Sequence, residues 1–94
     1  MTLEWSATAL ADLNRFAAFL EEHYPRLARI VAAEIIGKAQ VLAAHPEIGR
    51  PIKGRASNRE LTLRVLNAPY VFRYRFDGQR LVVLRVFHGR ERRE

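Results

Sequence analysis

The hydrophobic period of this chain changes once along its length, and that change dictates the fold class. Between residues 10 and 42 the apolar side chains recur at spacings of three and four. The series runs Leu10, Leu13, Ala17, Leu20 and Tyr24, then Ala28, Val31, Ile35, Ala39 and Leu42. Such spacing places them along one face of a helix. Phe16 and Phe19 flank the first of these faces. Pro25 divides the stretch in two, because proline breaks a helix interior yet suits the first turn of the helix that follows. Ser6 is an N-cap for the first helix, its hydroxyl being able to accept from an otherwise orphan amide. His45-Pro46 ends the second helix, since the residue before proline avoids the helical conformation. Ahead of the hairpin, Leu3-Glu4-Trp5 reads as a short strand. Residues 46–58, punctuated by Pro46, Gly49, Pro51 and Gly54, read as a loop.

From residue 61 the period is two. Leu61, Leu63 and Val65 share one face of a strand, with Glu60, Thr62 and Arg64 on the other. A second strand puts Tyr70, Phe72 and Tyr74 on one face and Val71, Arg73 and Arg75 opposite. Asp77-Gly78 signals a hairpin into a third strand from Arg80 to Phe87. That strand is apolar on both faces except at Arg85, so its register needs an argument. A three-residue loop with Gly78 left-handed aligns Tyr70, Phe72 and Tyr74 with Val82, Leu84 and Val86 and buries no arginine. It gathers Arg64, Arg73, Arg75 and Arg85, together with Val71, Leu81, Val83 and Phe87, on the face away from the helices. The predicted fold is α+β: a short N-terminal strand, an antiparallel helical hairpin, then a three-stranded antiparallel meander. Residues 1–94 form one domain, as expected for a chain with no linker, no repeat and the bulk of a single core.

Charge divides along the same boundary. Residues 1–48 hold four Lys/Arg against six Asp/Glu, and residues 49–94 twelve against four, which together give the net +6. Eleven of the twelve are arginine, the side chain suited to bidentate contact with carboxylate or phosphate. The second half therefore reads as a footprint for an anionic macromolecule. An arginine face that also carries apolar side chains fits a protein segment better than bare nucleic acid. With no apolar run near the roughly 20 residues that span a bilayer, and no signal-like N-terminus, the expected location is the cytoplasm and no membrane is a partner.

Most catalytic chemistries lack their residues. There is no cysteine, and His23, His45 and His88 stand far apart, so no metal site is expected. Ser6 and Ser57 have no nucleophile-elbow context. No phosphate-binding glycine loop is present, and no cofactor or small-molecule substrate is implied. What remains is phosphate chemistry carried by cations, with His88 able to act as acid or base.

Three motifs then suggest a family. Trp5-Ser6-x-x-Ala9-x-x-Asp12-Leu13, His45-Pro46-x-x-Gly49-Arg50 and Leu84-Arg85-Val86-Phe87-His88-Gly89-Arg90, with the strand Tyr70-Val71-Phe72-Arg73-Tyr74-Arg75, resemble the RelE/ParE toxin superfamily across essentially the whole chain. The resemblance implies the toxin of a type II toxin–antitoxin system, neutralised by a cognate antitoxin in a heterodimer or heterotetramer. ParE-like members inhibit DNA gyrase and are not nucleases, whereas RelE-like members cut mRNA on the ribosome. Val71 stands where RelE-like enzymes tend to carry arginine, and the chain ends Glu91-Arg92-Arg93-Glu94 without their terminal tyrosine. Both departures favour the ParE-like reading. On the RelE-like alternative the catalytic set would be Lys53, Arg55, Arg64, Arg85 and His88. Antitoxin contact is expected at Arg64, Val71, Arg73, Arg75, Leu81, Val83 and Phe87, and target contact at Arg85, His88, Arg90, Arg92 and Arg93.

Overall fold

The computed structural model describes residues 1–91. The chain runs β1 (Leu3–Trp5), α1 (Ala7–Glu21), α2 (Pro25–Ala44), β2 (Arg50–Pro51), β3 (Asn58–Val65), β4 (Ala68–Phe76) and β5 (Leu81–His88). The strands form one sheet in the order β1-β5-β4-β3-β2. β3, β4 and β5 are the expected antiparallel meander, and β1 lies parallel to β5 at its edge. The loop expected over 46–58 contributes one further piece of sheet, the two-residue β2 paired with Arg59 and Glu60 of β3.

The helical hairpin covers one face of this sheet, with α1 against β5 and α2 against β3 and β1. On α2 the predicted stripe is the buried one: Ala28, Val31, Ile35, Ala39 and Leu42. Fully burying an isoleucine or leucine contributes about 1.5–3 kcal/mol each, and Ile35 and Leu42 are both at 0% exposure. On α1 the stripe is rotated. Ala9, Asp12, Leu13 and Phe16 face inward, while Leu10 and Tyr24 of the expected face are exposed. The rotation follows from an aspartate that the sheet needs on the inner side.

The same need sets the register of β5. Phe76 pairs with Leu81 and Tyr74 with Val83, but Arg73 pairs with Arg85 and Tyr70 with His88. Leu84 is thus an extra residue, a β-bulge. A bulge reverses the alternation of facing, so Leu81 and Val83 before it and Val86 after it all point into the core. The expected register, Tyr74 with Val82 and Phe72 with Leu84, is therefore corrected. Leu81 and Val83, at 0% exposure, leave the outer face to which they were assigned. The connecting loop has four residues, with Gly78 left-handed (φ +94°) and the Asp77 carboxylate accepting from the Gln79 and Arg80 amides at 2.9 Å each.

The start of α1 holds the bulge in place. Ser6 caps the helix by accepting from the Ala9 amide at 3.0 Å, and its hydroxyl donates to the Leu84 carbonyl at 2.9 Å. Its own amide donates to the Val83 carbonyl. Ser6→Ala loses cap and strap together. A cap alone costs about 1 kcal/mol, and the expected drop in urea midpoint should match at least that at unchanged m-value. A variant as stable as the parent would show that the bulge needs no strap.

Candidate functional surfaces: an arginine face and an apolar cleft

Away from the helices the sheet presents a row that crosses three strands: Glu60 of β3, Arg73 of β4 and Arg85 of β5. Arg73 donates through Nε (3.1 Å) and Nη2 (2.8 Å) to Oε2 of Glu60. Its guanidinium lies 5.4 Å from the Phe87 ring centroid, and that of Arg85 lies 4.6 Å from it. Phe87 and its partner Val71 are consequently only 5% exposed although no helix covers them. Arg64, whose Nη2 donates to the Asn67 carbonyl at 2.9 Å, and exposed Arg75 complete this face. Of the residues expected to meet an antitoxin, Arg64, Val71, Arg73, Arg75 and Phe87 do share one surface. It is more cationic and less apolar than the sequence suggested, because the bulge withdraws Leu81 and Val83.

Arg85 is held from behind. Its Nε donates to Asp12 Oδ2 at 2.9 Å and its Nη2 to Oδ1 at 3.2 Å, while the Val86 amide donates to Oδ2 at 2.8 Å. Arg15 adds a bond to Oδ1 at 3.1 Å. Burial pushes the Asp12 carboxyl up, but the hydrogen bonds from Arg85, the Val86 amide and Arg15 outweigh it and hold it below the usual aspartate range. The bond to Asp12 in turn raises Arg85. Asp12 was visible in the sequence as part of a motif, yet its role was not. An acid on the inner side of an apolar helical stripe is the signal that could have shown it.

A second surface was not anticipated. Between the helical hairpin and the end of the sheet lies a cleft of about 660 Å³. Phe16, Phe19 and Leu20 of α1, Leu27 of α2, and Leu66, Ala68, Tyr70 and His88 of the sheet line it, with Arg15, Arg90 and Glu91 beside them. Phe16, Tyr70 and His88 stack edge-to-face in series at 5.2 and 5.3 Å. Burial, and then the Glu91 charge, push the Tyr70 hydroxyl up. Phe19 is 80% exposed. Leu66 and Asn67 form the tight β3–β4 turn with φ of 51° and 65°. Asparagine tolerates that conformation, whereas leucine is strained there by about 1–2 kcal/mol. The strained side chain forms part of the cleft wall, the kind of local cost that accompanies functional surfaces.

The five residues of the RelE-like catalytic alternative do not converge. Lys53 and Arg55 lie in the β2–β3 connection, whose Ser57 carbonyl accepts from Phe76 at one end of the sheet. Arg64 and His88 lie at the other end, beside Pro69 and Tyr70. Six strand residues separate the two ends, roughly 20 Å at about 3.3 Å per residue. His88 also faces the helical side, in the cleft, while Arg64 and Arg85 belong to the opposite face. Of the expected target contacts, Arg85 is on the open face and His88 and Arg90 are at the cleft. Arg92 and Arg93 lie outside the described residues. Among the described residues no cluster of three or more His, Asp or Glu is placed to hold a metal ion, and no helix is long and apolar enough to cross a membrane.

The architecture is an α-helical hairpin on one face of a five-stranded sheet, with a cationic outer face and an apolar cleft. The chain belongs to the ParE toxin family of type II toxin–antitoxin systems (parDE), whose family model matches residues 3–93. Toxin RelE1 of Caulobacter vibrioides is 32% identical over 88 residues, covering 94% of this chain and 92% of the relative. Toxin RelE2 of the same organism is 33% identical over 85 residues, covering 90% and 91%. Among solved structures, a chain of the chromosomal ParDE toxin–antitoxin system from P. aeruginosa matches with a TM-score of 0.74 at 25% identity, over 94% of this chain and 95% of that one. The protein is therefore the toxin of a type II pair, and an antitoxin is its partner.

Proposed function

We propose that this toxin acts as a ParE-like inhibitor of DNA gyrase with no nuclease activity of its own. The observation that carries this reading is the dispersal of Lys53, Arg55, Arg64, Arg85 and His88 over both ends and both faces of the sheet. General acid–base and phosphate-stabilising groups act on one reacting centre only when they lie within hydrogen-bonding reach of it. Binding an enzyme and blocking it needs no such convergence. The basic end of the chain, from Arg90 with His88 beside it, is the surface assigned to the target. The antitoxin is assigned to the open face through Arg64, Arg73 and Arg75, where the exposed guanidiniums of Arg64 and Arg75 would offer acidic side chains charge-assisted bonds beside the Glu60-paired Arg73. The neighbouring cleft, with Phe19, Leu20, Leu27 and Leu66, offers the apolar anchorage that the arginine face itself lacks.

Purified toxin is expected to abolish supercoiling by gyrase in a dose-dependent way and to leave mRNA intact on programmed ribosomes. Undiminished supercoiling at saturating toxin would sink the gyrase reading. Cleaved mRNA would select the RelE-like, ribosome-dependent interferase instead, a reading favoured by the two relatives named RelE toxins.

A further inference from the structure

After β5 the chain does not simply leave the sheet. The Gly89 amide donates to the Pro69 carbonyl at 2.7 Å, the Arg90 amide to His88 Nδ1 at 3.2 Å, and the Glu91 amide to the His88 carbonyl at 2.9 Å. Gly89 itself is obligatory, since a Cβ there would stand 2.7 Å from Pro69 Cγ. The Glu91 side chain closes this turn from the other side. Its Oε1 accepts from the His88 amide at 2.5 Å, and its Oε2 pairs with Nη1 of Arg15 on α1. Arg15 is itself fixed, packed over the Phe16 ring at 4.7 Å and bonded through Nη2 to Asp12. An acid here anchors the start of a basic run, Arg90-Glu91-Arg92-Arg93, while Arg90 stays exposed with no ion pair among the described residues.

We propose that Glu91 and Arg15 are positioning residues: together they latch the C-terminal turn to α1 and so fix the direction in which Arg90 meets the target. The inference rests on the reading that the basic end engages the target, not on which target that is. A stabilising role does not account for the pair. Both side chains are part-exposed, Glu91 at 31% and Arg15 at 43%, and ion pairs so exposed add little to global stability. Fixing an exposed cation before binding removes an ordering cost from the encounter, which raises affinity without any added contact.

The test is a double-mutant cycle with Glu91→Gln and Arg15→Gln. Glu91→Gln keeps the shape of the side chain and an acceptor for the His88 amide while removing the charge. Three readouts are taken: growth arrest on expression without antitoxin, the toxin concentration that half-inhibits gyrase, and the urea midpoint. Each single variant is expected to need about tenfold more toxin, the effect of one lost charge-assisted bond, with the midpoint of Glu91→Gln nearly unchanged and that of Arg15→Gln lowered by its lost bond to Asp12. The double variant should be no weaker than either single one, because both break the same latch. Amide exchange at Gly89–Glu91 should accelerate in all three. Full potency in Glu91→Gln despite faster exchange would overturn the proposal, and so would additive losses, which would mean that each residue acts alone. If the parent toxin arrests growth yet leaves gyrase untouched, the gyrase reading fails, and the cycle scored by growth arrest still decides the latch.

Discussion

Asp12→Ala is expected to destabilise the toxin by about 3 kcal/mol, a larger effect than removing the arginine it holds. The carboxylate is 3% exposed and accepts from Arg85, Arg15 and the Val86 amide. Truncating it strands a buried backbone N–H, which costs about 1–3 kcal/mol, and also removes charge-assisted bonds. Arg85→Ala leaves Asp12 with the Val86 amide and Arg15, and the Arg85 side chain is already 39% exposed. Its cost should be about 1–2 kcal/mol. For a domain of this size a loss of about 3 kcal/mol lowers the melting temperature by roughly 15 °C. Equal losses in the two variants would mean that Asp12 serves Arg85 alone and not the bulge.

The sign of the pH dependence follows from the same carboxylate. Its folded pKa lies below its unfolded one, so its contribution is complete above the unfolded value, near pH 4. It fades as pH falls through the lower, folded value. Asp77, lowered by the Arg80 and Gln79 amides, and Glu4, lowered by its bond to Arg80, act in the same direction at the surface. The diagnostic quantity is therefore the difference between parent and Asp12→Asn. That gap should be constant from about pH 5 to 8 and close as pH drops below about 4. A gap that persists at low pH would show that hydrogen-bond geometry, not ionisation, makes the aspartate necessary.

Periodicity carried the sequence reading as far as it could. The α2 stripe from Ala28 to Leu42 and the alternation of β3 and β4 were legible because each obeys one period without interruption. β5 was not, because the bulge at Leu84 changes parity in mid-strand, and no count of alternating residues reveals an extra one. What fixes the bulge, Ser6 and Asp12, lies over seventy residues away in sequence. The α1 face was misread for the same reason: a strict apolar count excludes Asp12 from the interior and turns the helix toward Leu10. The cleft could not be seen at all, since Phe19, Leu27, Leu66 and His88 meet only after the sheet has formed. The arginine face was found correctly in its cations, because Arg64, Arg73 and Arg75 lie on β3 and β4, whose alternation is unbroken. It was overestimated in its apolar content, because Leu81 and Val83 belong to β5.

Gly49→Ala should be nearly as costly as Asp12→Ala, and it separates a motif of the fold from the surfaces of function. A Cβ at residue 49 would meet the Tyr74 hydroxyl at 2.7 Å, the Glu60 carbonyl oxygen at 2.8 Å and Tyr74 Cε1 at 2.8 Å. Tyr74 is fully buried and Glu60 offers backbone, so neither can yield without displacing β3 or β4. Overpacking of this kind costs about 1–3 kcal/mol, and with backbone among the obstacles the upper end is expected. The tyrosine explains why the glycine is there. Its hydroxyl donates to the Pro46 carbonyl at 2.7 Å and accepts from the Gly49 amide at 2.8 Å, fastening the end of α2 to the sheet. Tyr74→Phe leaves that buried amide unpaired and should cost about 2 kcal/mol. The double variant should lose less than the sum, since removing the hydroxyl relieves one of three clashes. Neither residue lies at the cleft or on the arginine face. On the proposed gyrase reading, inhibition by both variants should therefore match the parent's at any temperature where they remain folded. Loss of inhibition with stability intact would assign the 46–51 loop to the target surface and move it away from the C-terminal turn.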